Sequence, residues 1–453
     1  MAQERMKFAS KAGAILAAAG SAVGLGNIWR FPFETGNNGG AAFILIYIAC
    51  ILLMGLPIMV AEFIIGRHTH SNTAGAYKKL APGTHWGLVG LLGVTTGFLI
   101  LGYYTVVAGW TLDYILQALQ NGFQGKTPDE FISSFNALSQ GSWRPIIWLL
   151  LFMFGTHLII IKGVQSGIEK SSKILMPVLF LLLLGLGICS ITLPDSMKGI
   201  SFLFHPDFSQ ITSKTVLNAV GQSFFSLSLG MGCLCTYASY FTQETSLTKS
   251  ALSICAIDTM VAILAGVIIF PAAFSVGIQP DAGASLVFIT LPNVFTQAFS
   301  GMPVLSYVLS LLFYVLLALA ALTSTISMHE VVTVYIHEEF HVSRKKAAWI
   351  VTIVCSVIGI LCSLSLGVGK ELALFGKSLF DCFDYLTAKI MLPVGGFFIS
   401  IYAGWFLDKK IFKSEIESTG TVHPFLTQSL IFILRFIAPI CLLLIFLNET
   451  GLI

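Results

Sequence analysis

Charge is what this sequence has least of. Only 10% of its residues are Asp, Glu, Lys or Arg and 56% are hydrophobic, whereas a soluble domain carries charge on about a quarter of its residues. A chain so composed cannot clothe a core in a charged surface, so its solvent is lipid. The formal net charge of +3 is spread thinly over short loops and gives no basic stripe for nucleic acid. Paired cysteine spacing is missing too. The nine cysteines fall mostly in apolar segments, and Cys233 and Cys235 lack the arrangement of a zinc or redox site, so they read as packing residues. There is no HExxH-type motif, and His68 and His70 read as a solvated pair in a basic inner loop, which disfavours a membrane enzyme. No loop is long enough for a soluble output domain, which disfavours a sensor that binds without transporting. Lys7 and Lys11 ahead of an alanine-rich run imitate a cleaved signal peptide, a reading that fails if the residues just beyond are functional.

What the sequence has is apolar runs long enough to cross about 30 Å of hydrocarbon. They lie near residues 12–36, 41–66, 87–119, 145–162, 171–192, 214–240, 248–276, 303–336, 347–367, 376–406 and 426–448. An apolar piece near 283–299 is interrupted by Pro292 and reads as an external loop with short helices. Counting eleven spans with an internal amino terminus places Arg67, Lys78, Lys79, Arg344, Lys345, Lys346, Lys409, Lys410 and Lys413 inside, as the positive-inside rule requires. A twelfth span would put the late basic clusters outside. The carboxyl terminus is therefore expected outside.

Two spans are odd. The first contains Gly20-Ser21-Ala22-Val23-Gly24-Leu25-Gly26-Asn27, and the sixth contains Ser226-Leu227-Ser228-Leu229-Gly230-Met231-Gly232. Glycines can serve merely for close helix packing. Two such stretches at matching positions instead predict breaks at mid-membrane, where unpaired backbone groups cost several kcal/mol unless they line a cavity. Paired breaks in the first helix of each five-helix half are the pattern of an inverted-repeat transporter.

The run Gly20 through Pro32, GSAVGLGNIWRFP, resembles the first-helix signature of the neurotransmitter:sodium symporter family. The likeness continues through GQSFFSLSLGMG at 221–232, Tyr103-Tyr104, Ala320-Ala321-Leu322-Thr323-Ser324, and Asp381 to Tyr385. It implies an all-α integral membrane protein with the bacterial leucine-transporter fold, which the general account of inverted-repeat transporters also uses as an example. Residues 1–192 would form the first five-helix repeat and 193–406 the inverted second, including an external loop near 277–302. Residues 407–453 would supply the eleventh helix and tail.

The resemblance also implies sites. One sodium ion, a hard cation that oxygen suits, would be held by carbonyls of Gly20, Val23 and Ala320 with the hydroxyls of Thr323 and Ser324. A second would use Ala22, Asn27, Ser226 and Asp258 together with the substrate carboxylate, a shared ligand that couples the two affinities. Ser226 stands where the family usually has threonine, and Asp258 at or near an asparagine. Asp258 is a direct ligand, a counter-charge that replaces chloride and takes a proton, or both; chloride is expected not to be required.

For an amino-acid substrate, the amides of Leu25 and Gly26 with Tyr104 would meet the carboxylate, and carbonyls of Ala22, Phe225 and Ser226 the ammonium. Ile100, Phe225, Ser228, Met231, Ser324, Ser327 and Met328 would wall the side-chain pocket, apolar with a few hydroxyls, suited to leucine, methionine and aromatic amino acids. Arg30 and Asp384 match the external gate, with Phe225 and Tyr104 as a lid, and Arg5 with Glu338 the internal one. Glu62 is expected to satisfy the unwound sixth helix. Lys389, Glu330 and Arg435 receive no role. The implied function is sodium-coupled amino-acid symport in a bacterial inner membrane, with a sodium-independent exchanger of the same fold as the rival. Nothing in the sequence chooses between a monomer and a weak homodimer.

Overall fold

The structure is a computed structural model that describes residues 6–277, 286–420 and 424–450. Among these residues there is no β-strand beyond one isolated bridge, Leu374 to Lys377. The helices follow the apolar runs closely. Eight are long and apolar enough to cross a membrane, from Ala41–Thr69 through Pro424–Asn448, and two bent pairs raise the number to ten. Lys11–Ala22 and Gly26–Asn37 form one of these, bent by 51°. Pro128–Ser139 and Arg144–Ile160 form the other, bent by 68°. The remaining expected span falls short on either side of its interruption, at Ser213–Ser226 and Cys233–Ala238.

Polarity is distributed inside out, as lipid demands. Leu53, Leu181, Ile188 and Ile440 are 53, 69, 65 and 59% exposed, while Asn27, Glu62, Asp258 and Glu330 are at most 1% exposed. Apolar side chains cost nothing against acyl chains, whereas a carboxylate at that depth must meet partners inside the bundle. The third helix, Gly87–Leu119, packs against the eighth, Pro303–Glu339, and against the fourth and ninth. The first helix leans on the eighth, seventh and fifth. This places both interrupted helices at the centre.

The segment expected to be an external loop forms the helix Leu286–Ala298. Its Leu286, Phe288 and Leu291 are buried, and its carbonyls at Phe288 and Val287 accept from the hydroxyls of Tyr114 at 2.6 Å and Tyr314 at 3.0 Å. It packs on the third and eighth helices by those bonds and by ring contacts of Phe288, edge-on with Tyr114 and stacked with Tyr314.

Candidate functional site

The break in the first helix begins at Val23, whose ψ of 104° leaves the helical region. Freed amides are taken by side chains: Gly24 N–H donates to Asn27 Oδ1 at 3.0 Å, and Leu25 N–H to the Tyr104 hydroxyl at 3.1 Å. The sixth helix stops at Ser226 and resumes at Cys233. Between them Gly230 and Gly232 adopt φ of 80° and 75°, a region open to glycine at no steric cost, and Ser228 joins them at 55°. Glu62, reaching from the second helix, accepts from Gly230 N–H at 2.8 Å and Cys235 N–H at 3.3 Å. The role expected of Glu62 is thus the one its geometry displays. Gln222 ties the two breaks together by donating to the Gly26 carbonyl at 3.2 Å.

Beside the breaks stand two clusters of oxygen. In one, Asn27 Nδ2 donates to Asp258 Oδ1 at 2.7 Å and to the Asp258 carbonyl at 3.1 Å, and Ser226 Oγ lies 2.9 and 3.0 Å from the two carboxylate oxygens. Tyr47 completes it, donating to Oδ2 at 3.1 Å. Tyr47 was not legible as a site residue, because one tyrosine in an apolar run reads as packing until its neighbour is known. The carboxylate is fully buried and among the described residues has only neutral donors around it.

In the other cluster the Thr323 hydroxyl lies 3.2 Å from the Val23 carbonyl and 2.9 Å from that of Ala320, with the Ser324 hydroxyl 3.5 Å from Val23 O. Gly20 brings the first helix close, since a Cβ there would stand 3.3 Å from that of Thr323. Each hydroxyl has one hydrogen, so this set holds more lone pairs than donors. Such a shell suits a hard cation.

A cavity opens between the breaks. Of the residues expected to touch substrate, Ala22, Gly26, Ile100, Tyr104, Phe225, Ser226, Ser228, Met231, Ser324, Ser327 and Met328 line it, together with Ser21 and Gly24. Leu25 does not line it; its amide is already bonded to Tyr104. Serines floor the pocket: Ser21 Oγ donates to Ser327 Oγ at 2.9 Å, Ser327 Oγ to Ser324 O at 2.8 Å, and Ser228 Oγ to Ser21 O at 2.8 Å. Ser21 went unread because its signature position is dominated by glycines.

Toward one end, Arg30 stacks over the Phe225 ring, 4.5 Å from its centroid, and lies 4.0 Å from Glu34. Asp384 accepts from Tyr103 at 3.1 Å instead of pairing with Arg30. At the other end Glu338 accepts from Asn72 N–H at 2.7 Å and its side-chain amide at 3.0 Å. Arg5 lies outside the described residues. Glu330 is held by Arg344 at 2.5 Å and by Tyr240 at 2.7 Å. His68 is exposed, as its reading as solvated expected, though its Nδ1 is 3.0 Å from Glu415 Oε1; His70 is only half-exposed, with Nδ1 3.0 Å from the Ser239 carbonyl. The short helix Lys409–Ile416 folds back onto His68 through Glu415, which sequence distance concealed.

Two interrupted helices meeting around a cavity, inside a bundle with an apolar exterior, define a membrane transporter. The chain belongs to the sodium:neurotransmitter symporter family, which it matches over residues 5–137 and 130–451. This is a family of transporters and not of enzymes. The chain is similar to an uncharacterized sodium-dependent transporter, YhdH, of Bacillus subtilis (strain 168), 38% identical over 452 residues that cover 100% of this chain and 99% of that one. An uncharacterized sodium-dependent transporter of Haemophilus influenzae is 34% identical over 461 residues, covering 99% and 98% of the two chains. Among solved structures, MhsT in complex with L-phenylalanine superposes with a TM-score of 0.89 at 42% identity, over 98% of this chain and all of that one.

Proposed function

We propose that this protein is a sodium-coupled symporter that carries hydrophobic and aromatic L-amino acids into the cell by alternating access. The observation that carries the reading is the adjacency of the Asn27–Ser226–Asp258 cluster to the cavity, which Ser226 and Ala22 both line. An amino-acid carboxylate in that cavity would lie beside a cation held by those oxygens. Each then completes the other's surroundings and favours the same conformation. Sodium-dependent relatives and the L-phenylalanine complex of MhsT support the same assignment.

Two sodium ions would be carried, one by Ala22, Asn27, Ser226 and Asp258, the other by Gly20, Val23, Ala320, Thr323 and Ser324. The first four carry one carboxylate, so the negative charge that chloride supplies elsewhere would come from Asp258 itself. The pocket has no fixed charge among its lining side chains, which excludes acidic and basic substrates by desolvation cost. Met231 and Met328 reshape around large side chains. Arg30 and Asp384 would approach when the outer side closes, and Glu338 would pair with Arg5 when the inner side does. The interrupted sixth helix counts as a span in this reading, making eleven, with the first five and next five as inverted repeats. The amino terminus would face the cytoplasm of a bacterium and the carboxyl terminus the outside.

Uptake of labelled amino acids into proteoliposomes, with sodium, chloride and pH varied independently, tests this. Accumulation driven by a sodium gradient and indifferent to chloride is expected. Counterflow that persists unchanged with choline in place of sodium would make the protein an exchanger and overturn the coupling.

A further inference from the structure

Arg435 lies within the eleventh helix, in a stretch otherwise made of Ile, Leu and Phe. A guanidinium there costs about 2.5 kcal/mol or more on insertion scales and normally meets a carboxylate. Here no Asp or Glu among the described residues pairs with it. Its Nε donates to the carbonyl of Gly404 on the tenth helix, Leu379–Phe406. Trp405 Nε1 in return donates to the Arg435 carbonyl at 3.1 Å, and the guanidinium carbon stands 5.3 Å from the Trp405 ring. Glycine permits this approach, since a Cβ at 404 would lie 2.9 Å from the Arg435 amide nitrogen. Gly404 is within the last turn of its helix, where carbonyls have no partner in their own helix. Arg435 therefore caps a neighbour with one of its five N–H donors. The other four receive no acceptor among the described residues.

The surroundings face outward. Trp405, Phe406 and Phe432 are 53, 62 and 55% exposed, the aromatic composition of a membrane boundary. The Trp86 ring, at the start of the third helix, lies 4.8 Å from that of Phe406. Lys409 and Lys410 follow in the next helix, exposed and in no ion pair among the described residues. The guanidinium thus stands level with the last turn of the tenth helix, at the end from which Lys409 and Lys410 follow. From it, Phe436, Ile440 and Leu444, exposed by 43, 59 and 43%, run along one face of the eleventh helix toward its carboxyl end.

We propose that this seam between the tenth and eleventh helices binds an anionic phospholipid, its phosphate held by Arg435 with Lys409 and Lys410 and its acyl chains along Phe436, Ile440 and Leu444. A guanidinium offers a fork that matches phosphate bidentately, as an ammonium does not. Against these three cations stands one exposed carboxylate, Asp408, whose side chain accepts from the Lys410 amide, and the net positive charge that remains selects a net negative headgroup over a zwitterionic one.

The test uses the full chain in phosphatidylcholine nanodiscs containing increasing phosphatidylglycerol, with retained lipid read by native mass spectrometry. The wild type is expected to retain phosphatidylglycerol preferentially, and Arg435→Gln and Lys409→Gln/Lys410→Gln to weaken that preference by roughly fivefold for each charge removed. The lysine pair leaves the cap on Gly404 intact, so its melting temperature in pure phosphatidylcholine should match the wild type and separate lipid binding from folding. Arg435→Lys should fall between wild type and Arg435→Gln. An unchanged preference in the lysine variant and in either arginine variant overturns the proposal. So does thermal stabilisation by inorganic phosphate in pure phosphatidylcholine equal to that by phosphatidylglycerol, which would make the site one for free anions.

Discussion

Asn27 grips Asp258 at both of its ends, donating to the carboxylate at 2.7 Å and to the backbone carbonyl at 3.1 Å. One amide on the broken first helix is thereby locked to one residue of the seventh, Leu247–Ser275. If Asp258 stands in for chloride, Asp258→Asn should transport at least about tenfold slower in chloride-free buffer, a loss of about 1.4 kcal/mol in the barrier sense, and recover when chloride is added. An ion requirement identical to the wild type would count against the counter-charge role.

Thr323 and Ser324 both turn their hydroxyls toward the Val23 carbonyl. Thr323→Ala removes one oxygen from that shell without emptying the amino-acid cavity, which Thr323 does not line. Half-saturating sodium for labelled amino-acid binding should rise by about tenfold, with affinity restored at saturating sodium, as thermodynamic coupling requires. A loss of affinity that sodium cannot repair would place Thr323 elsewhere in the mechanism.

Tyr104 receives the Leu25 amide at 3.1 Å and its hydroxyl borders the cavity. Tyr104→Phe deletes a hydrogen bond to a charged group, worth roughly 1.5–3 kcal/mol, so amino-acid affinity should fall by about tenfold or more. Scintillation proximity binding at saturating sodium measures this directly. Equal affinity would show that the substrate carboxylate lies away from Tyr104.

Glu62 is the acceptor for two amides that the sixth break leaves behind. Glu62→Ala strands both donors in a fully buried place, at about 1–3 kcal/mol each, and should lower the melting temperature in detergent well below that of Glu62→Gln, which keeps one acceptor. Equal melting of the two variants would mean that water takes over the amides.

The composition and the apolar runs determined by themselves that the chain is an α-helical membrane protein, because in lipid only a helix or a closed barrel satisfies every backbone group. Both breaks were equally legible, since glycine and serine at mid-span oppose a continuous helix whatever surrounds them. Tertiary structure alone decided which side chains answer the freed groups. Tyr47 from the second helix, Ser21 beside Ser327, and Glu415 folded back onto His68 are neighbours across 211, 306 and 347 positions of sequence. Arg435 shows the same division: the sequence announces a charge in an apolar helix, but its use depends on a glycine carbonyl of another helix and on the face left open to lipid. Periodicity and local chemistry act within a few residues, whereas hydrogen-bond partners are selected by packing, and packing is a property of the whole bundle.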